Sequence, residues 1–337
     1  MNFFTSTQIK LRAPDTMSDN VQGDIALRHL FQGTHEVNDV IREECAMEFV
    51  LGCVKESCHE SYIPYNKFRT ESLPPRFRDH HLMEVIKLIA FLTVRIQVSY
   101  TSTARPRFHA GTTREYPFGN SRGSTNKRTG TGRIGMVWKY TEKDDRTCPC
   151  RACKNSENPR KDWGLIRVIT AVHVVYDTSE ALQTTCRFGF DSEKSPDVTI
   201  EGVDMERADV NDDRCHLACV THDLQLLNRV KVQWSRYPGL HKKVTEKFDR
   251  PDDNLVAIVS HPHGCSKHVS LGSWTHKMTT GESSPGHPYV MYTYTTATCP
   301  GSSGATVYIM GRSWGLWYNQ IHSGYNGEDN FSGNGCD

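Results

Sequence analysis

Residues 298–310 read TCPGSSGATVYIM, a Gly- and Ser-rich turn that passes directly into β-branched and aromatic residues. Two other stretches share this build. Residues 167–177, RVITAVHVVYD, carry apolar residues up to Ala171 and then present His173, while residues 219–227, CVTHDLQLL, set Asp223 ahead of Leu224, Leu226 and Leu227. Successive side chains of an extended chain point to opposite faces, so such patterns mark strands, and a residue where strand becomes turn stands at a sheet rim. Further runs, LTVRIQVSY from Leu92, RIGMVWKY from Arg133 and YVMYTYTT from Tyr289, are bounded by Gly, Pro or Ser clusters. Many short strands with turn signals between them predict an all-β barrel or sandwich over residues 91–337.

The three segments supply a His, an Asp and a Ser in that order, each where a predicted strand meets a turn. A general base, a carboxylate that orients it and a hydroxyl nucleophile are what acyl transfer requires. TAVHVV resembles the TAxH motif of trypsin-like (chymotrypsin-fold) serine peptidases, HDLQLL resembles their D-[IL]-A-L-L segment, and GSSGA is similar to their G-[DN]-S-G-G. The motif style is closest to non-zymogen members such as glutamyl endopeptidases and high-temperature-requirement proteases. VAIVSHPHGCSKHVSLG, residues 256–272, resembles the strand, turn and strand that such members carry between the Asp and Ser motifs.

The resemblance, over residues 91–337, implies a double six-stranded β-barrel and a serine endopeptidase whose Ser303 attacks the peptide carbonyl; the residues ahead of it read as a mostly helical N-terminal extension. His173 would carry the proton to the leaving amine and Asp223 would fix the imidazole tautomer. The backbone N–H groups of Gly301 and Ser303 would form the oxyanion hole. His222 would face away from the site as a structural residue. Ser302 stands where zymogen-activated members carry Asp, and no Ile-Val-Gly-Gly start is present, so the domain is expected to be competent as made. The family's primary-pocket positions fall on Ala297 and Thr298. QIHSG resembles the IHxG segment with which glutamyl endopeptidases hold an acidic side chain, so Ala297, Thr298 and His322 imply cleavage after Glu or Gln. The alternative from another class is a catalytically inactive homologue that uses the barrels for binding or scaffolding.

Cys148, Cys150 and Cys153 place three thiols within one short loop. Tetrahedral zinc needs a fourth ligand, and Cys215, His216, Cys219, His261, His263 and Cys265 are candidates; free thiols and disulfides are the competing readings. Catalysis of this type requires no cofactor.

The 337 residues carry 40 Lys and Arg against 39 Asp and Glu, a net charge of +1 that makes no electrostatic case for nucleic acid or a membrane surface. The expected partner is a protein or peptide substrate. Charge is uneven along the chain: residues 101–132 form a basic Gly/Ser/Thr-rich stretch and residues 191–213 an acidic one, both read as solvent-facing. The longest strongly apolar run, Leu88–Val94, is far shorter than a spanning helix, and no secretory leader is visible, which favours a cytoplasmic address and reduced or metal-bound thiols for the 12 cysteines. Residues 1–20 read as a flexible tail. Ile25, Leu30, Val37, Val40, Ile41, Met47 and Leu51 recur at helical intervals, so residues 21–90 are expected to form a helical extension, with a further helix over Asp79–Ala90, that regulates the peptidase domain or binds a protein partner.

Overall fold

The computed structural model describes residues 33–36, 53, 55–248, 250, 252–284, 286–312 and 319–336. The expected tail and most of the helices expected before Ser61 lie outside these residues. Short 3-10 turns lead through β1 (Ile63–Pro64) to α1 (His80–Leu92). Asp79 caps this helix by accepting from the Leu82 N–H at 2.9 Å, and Leu82, Val85, Ile86, Ile89 and Leu92 turn inward with helical spacing.

Strands β2 (Thr93–Val98), β3 (Arg128–Tyr140), β4 (Trp163–Thr170), β5 (Thr184–Phe188), β6 (Val198–Asp209) and β7 (Arg214–Thr221) close into an antiparallel barrel in the order β2-β3-β4-β7-β6-β5. Between them lie two one-turn helices, α2 (Arg151–Lys154) and α3 (Thr178–Ala181). Alternate side chains, among them Val94, Ile96, Val168, Ile200 and Leu217, fill the interior.

The second half comprises β8 (Leu255–Ser260), β9 (His268–Ser284), β10 (His287–Tyr294), β11 (Val307–Ile309), β12 (His322–Tyr325), β13 (Asn330–Ser332) and β14 (Gly335–Cys336). Its order is β11-β8-β9-β10-β13-β12, with β1 added to β9 and β14 to β10. A bridge between Thr306 and Ile321 joins the two ends of that path around a core of Val256, Ile258, Tyr292, Tyr294 and Val307. The all-β, two-barrel architecture expected from the sequence is therefore the one observed.

One expected strand is a helix. Residues after Asp223 form α4 (Leu224–Lys247), which joins the two halves and packs on α1. Leu226, Leu227, Val230, Tyr237 and Val244 are its buried side. The apparent alternation at Leu224 and Leu226 covers a single turn, whereas the spacing 227, 230, 237, 244 keeps one face of a helix inward. Among the described residues no helix is long and apolar enough to cross a membrane.

Candidate active site

Strand β4 pairs antiparallel with β7, with Thr170 opposite Cys215. The residues just after β4 and just before β7 must therefore meet at the same end of the ladder, and these are His173 and Asp213. Nδ1 of His173 lies 2.7 Å from Oδ2 of Asp213, and the His173 backbone N–H donates to Oδ1 at 3.1 Å. The carboxylate holds the imidazole with its proton on Nδ1, which leaves Nε2 as the basic nitrogen. Ser323 also donates to Oδ2. Burial pushes the Asp213 carboxyl up, but His173 and Ser323 outweigh it and bring it to about 2.

Asp223, expected from its motif to partner His173, does other work. Its carboxylate caps α4, accepting from the N–H groups of Gln225 and Leu226, both at 2.9 Å. The residue that leads a strand is Asp213, in DRCHLACV, at the end of the acidic stretch. That stretch is thus not wholly solvent-facing.

Ser303 comes from the opposite half. Gly301 has φ +96, and a Cβ there would sit 2.6 Å from the His261 carbonyl oxygen; Gly304 has φ +84, and its Cβ would overlap Thr170 Oγ1 and Thr131 O. Only glycine fits both positions, so the turn that presents Ser303 is set by sequence. It is tied to the first barrel by Thr131, whose N–H donates to Ser303 O at 2.9 Å and whose hydroxyl donates to Gly301 O at 2.8 Å. The Pro300 carbonyl accepts from the His263 N–H. Because a trans peptide sets C=O and N–H in opposite directions, the Gly301 N–H faces away from His263. Ser302, in place of the zymogen Asp, pairs its hydroxyl with that of Ser260 at 3.1 Å.

The chain's own residues 33–36 lie in this site. Thr34 forms an antiparallel bridge with Tyr325, its N–H donating to Tyr325 O at 2.9 Å and its carbonyl accepting from Tyr325 N–H at 3.0 Å. The ring of His35 stacks on that of His173 with centroids 4.3 Å apart, and its Nδ1 donates to Ser323 O at 2.8 Å. Burial, reinforced by the neighbouring His173, pulls His35 down to about 3. The Ser303 hydroxyl donates to the Glu36 carbonyl oxygen at 2.9 Å. His173 Nε2 is buried and makes no hydrogen bond among the described residues.

The Glu36 carboxylate enters a closed polar pocket. His322 Nε2 lies 2.7 Å from Oε2, and Lys55 Nζ donates to Oε1. Lys55 also donates to Thr298 Oγ1 at 3.1 Å and to Asn330 Oδ1 at 2.7 Å. Burial pushes the Glu36 carboxyl up, yet the His322 hydrogen bond and the Lys55 charge prevail and bring it to about 2. Burial pulls His322 below its ordinary value against the opposing pull of Glu36, which favours a neutral ring. A neutral His322 donates from Nε2 to Glu36 while Nδ1 faces the Tyr294 hydroxyl at 2.7 Å. Of the expected pocket residues, His322 and Thr298 line this space, whereas Ala297 packs with Tyr62 and Cys299. Lys55 and Asn330 complete the pocket, and Glu36 fills it, without any signal in the sequence. They are far apart in the chain, and no local pattern marks them.

The basic stretch also bears on the site. Arg105 is fully buried, donating to Glu180 from Nε at 2.6 Å and Nη2 at 2.9 Å, and to the His173 carbonyl at 3.0 Å. Arg128 donates to the same Glu180 carboxylate. Arg114 donates to Gly33 O at 2.8 Å, and His109 stacks on His35 at 5.5 Å. The segment expected to be a solvated loop thus props the His173 turn and walls the cleft.

Among the described residues, two clusters have the donor set of a tetrahedral metal site. Cys148, Cys150 and Cys153 surround His222, whose Nε2 is 3.2, 3.8 and 3.5 Å from their sulfurs. Zinc bonds of ~2.3 Å to sulfur and ~2.0–2.1 Å to nitrogen at tetrahedral angles place S and N about 3.6 Å apart, so the four atoms fit the ion. The fourth member is His222, expected to be merely structural. Of the other candidates, Cys215 bonds the Ala171 carbonyl, Cys219 lies against Cys186, and His261 faces the Cys265 carbonyl. The second cluster joins Cys53, His59, His263 and Cys299. Among the described residues no cysteine is joined in a disulfide.

No family model and no curated protein matches the chain. Among solved structures, the Rv3671c protease from M. tuberculosis aligns in its inactive form over 76% of this chain and 90% of its own, at 14% identity and a TM-score of 0.34. Its active form aligns over 76% and 82%, at 13% identity and a TM-score of 0.35. The HtrA-type protease AlgW with a decapeptide aligns over 74% of this chain and 62% of its own, at 10% identity and a TM-score of 0.36.

Proposed function

We propose that this chain is a serine endopeptidase with a His173, Asp213 and Ser303 triad that cleaves after Glu. The observation that carries the reading is Glu36, whose carbonyl sits at the Ser303 hydroxyl while its carboxylate is gripped by His322 and Lys55. In this reading Ser303 Oγ attacks the carbonyl carbon as its proton passes to His173 Nε2. The resulting imidazolium is stabilised by Asp213 and returns the proton to the leaving amine. Water, deprotonated by the same Nε2, then releases the acyl group from Ser303. The N–H groups of Gly301 and Ser303, both in the Ser303 turn, receive the developing oxyanion.

Lys55 supports Glu over Gln, because its buried ammonium needs an anion opposite it, which a neutral amide does not supply. The Cys148, Cys150, Cys153 and His222 cluster is read as a structural zinc site that ties the loop after β3 to the end of β7. Two backbone donors, Cys153 N–H to Cys150 Sγ at 3.3 Å and Arg160 N–H to Cys153 Sγ at 3.5 Å, suit sulfurs that carry thiolate charge. The test of the enzyme reading is a fluorophosphonate probe together with a peptide library. Labelling that disappears in Ser303→Ala, with cleavage confined to Glu, is expected; an unlabelled folded protein that cuts no peptide is the inactive scaffold instead.

A further inference from the structure

We propose that residues 33–36 are the enzyme's own substrate, and that the chain cleaves itself after Glu36. This rests on the endopeptidase reading and names its target. Three features of a bound substrate are met by this segment: the extended bridge of Thr34 to the edge strand β12, the carbonyl of Glu36 at Ser303, and the acidic side chain in its pocket. Arg114 holds the Gly33 carbonyl and His35 covers His173, so the segment is gripped along its whole described length. In the reaction, Ser303 Oγ bonds to the Glu36 carbonyl carbon and the Glu36–Val37 C–N bond breaks. The serine proton passes through His173 to the Val37 nitrogen. Water then splits the ester, leaving a Glu36 carboxylate and a free Val37 amine.

The experiment follows the purified full chain by intact mass and N-terminal sequencing, and presents the peptide FQGTHEVNDVI, residues 31–41, in trans. A new N-terminus at Val37 is expected, formed at a rate independent of protein concentration and abolished by Ser303→Ala or Glu36→Lys. An intact chain that nevertheless cuts the peptide after its Glu would overturn self-cleavage while leaving the endopeptidase reading in place. Failure to cut either, with no fluorophosphonate labelling, would remove both.

A different observation carries a second inference: the structure assigns Cys53, His59, His263 and Cys299 to a zinc-class cation. The sulfurs of Cys53 and Cys299 are 3.9 Å apart and the Nε2 atoms of His59 and His263 are 3.3 Å apart. Tetrahedral zinc at ordinary bond lengths requires about 3.8 Å and about 3.3 Å for these pairs. The Lys55 N–H donates to Cys53 Sγ at 3.4 Å, a contact suited to a thiolate. The ion would join the segment after residue 52 to the turn before Ser303, and so anchor Lys55 at the acidic pocket.

Elemental analysis and cobalt substitution of the full chain test this. Wild type is expected to bind one equivalent more metal than Cys53→Ser with His59→Ala, and to lose a tetrahedral thiolate–cobalt spectrum component in that variant. The same variant should raise KM for Glu peptides more than it lowers kcat. Equal metal content and identical cobalt spectra in the two proteins would overturn the site.

Discussion

His173 and Asp213 share two hydrogen bonds, one through the imidazole Nδ1 at 2.7 Å and one through the backbone N–H at 3.1 Å. The carboxylate therefore fixes both the ring and the turn that carries it. Asp213→Asn would preserve the shape but favour the wrong imidazole tautomer, and kcat is expected to fall about 10⁴-fold. Asp223→Ala should leave kcat unchanged and cost about 1 kcal/mol through the lost cap of α4. Steady-state kinetics and urea denaturation on both variants check the assignment; the reverse pattern would restore Asp223 to the site.

Lys55→Met removes the cation facing the Glu side chain. Cleavage after Glu is expected to fall at least about 30-fold in kcat/KM, corresponding to ~2 kcal/mol for a buried pair that loses one partner. Cleavage after Gln should fall much less. Competition between otherwise identical Glu and Gln peptides measures this, and equal losses would show that Lys55 does not read charge.

The Glu36 carboxyl is held at about 2 against an ordinary value of 4.5. A depressed carboxyl favours the engaged state above its free value and loses that contribution as pH falls through the window from about 4.5 to about 2. Engagement of residues 33–36 should weaken by up to ~10-fold per pH unit there. Asp213 is also held at about 2 and titrates in the same direction. Comparing hydrogen exchange of Thr34 in Ser303→Ala with and without Glu36→Gln isolates the Glu36 part; identical pH profiles would contradict it.

Glu180 has no exposed side-chain surface and faces both Arg105 and Arg128. Glu180→Gln leaves two buried guanidinium groups without their anion. Removing one partner from such a pair typically costs ~3–5 kcal/mol. The denaturation midpoint should fall accordingly, and kcat with it, since Arg105 also supports the His173 carbonyl. A change below about 1 kcal/mol would mean the ion cluster is not a structural support.

His222→Ala is expected to release one metal equivalent and lower thermal stability, while kcat for a Glu peptide remains near wild type. The His222 cluster sits at the far end of β7 from Asp213, so its loss should not reach the triad. Metal analysis and melting curves check this; unchanged metal content would reduce the cluster to free thiols.

The barrels, the Ser303 turn and the histidine were all legible in local stretches of chain. Alternation along β2, β3 and β4 is a local property, and Gly301 and Gly304 are required by backbone dihedrals that their immediate neighbours cannot change. His322 and Thr298 were legible for a similar reason, since both lie at short, fixed offsets from Ser303. The carboxylate was not. Both Asp213 and Asp223 stand before apolar residues, and the antiparallel register of β4 with β7 decides which one reaches His173. The same holds for His222 among the cysteines, and for Lys55 and Glu36 in the pocket. Each depends on contacts between residues remote in the chain, where complementary charge, the spacing of donor atoms and burial are fixed by how the halves close rather than by any local pattern.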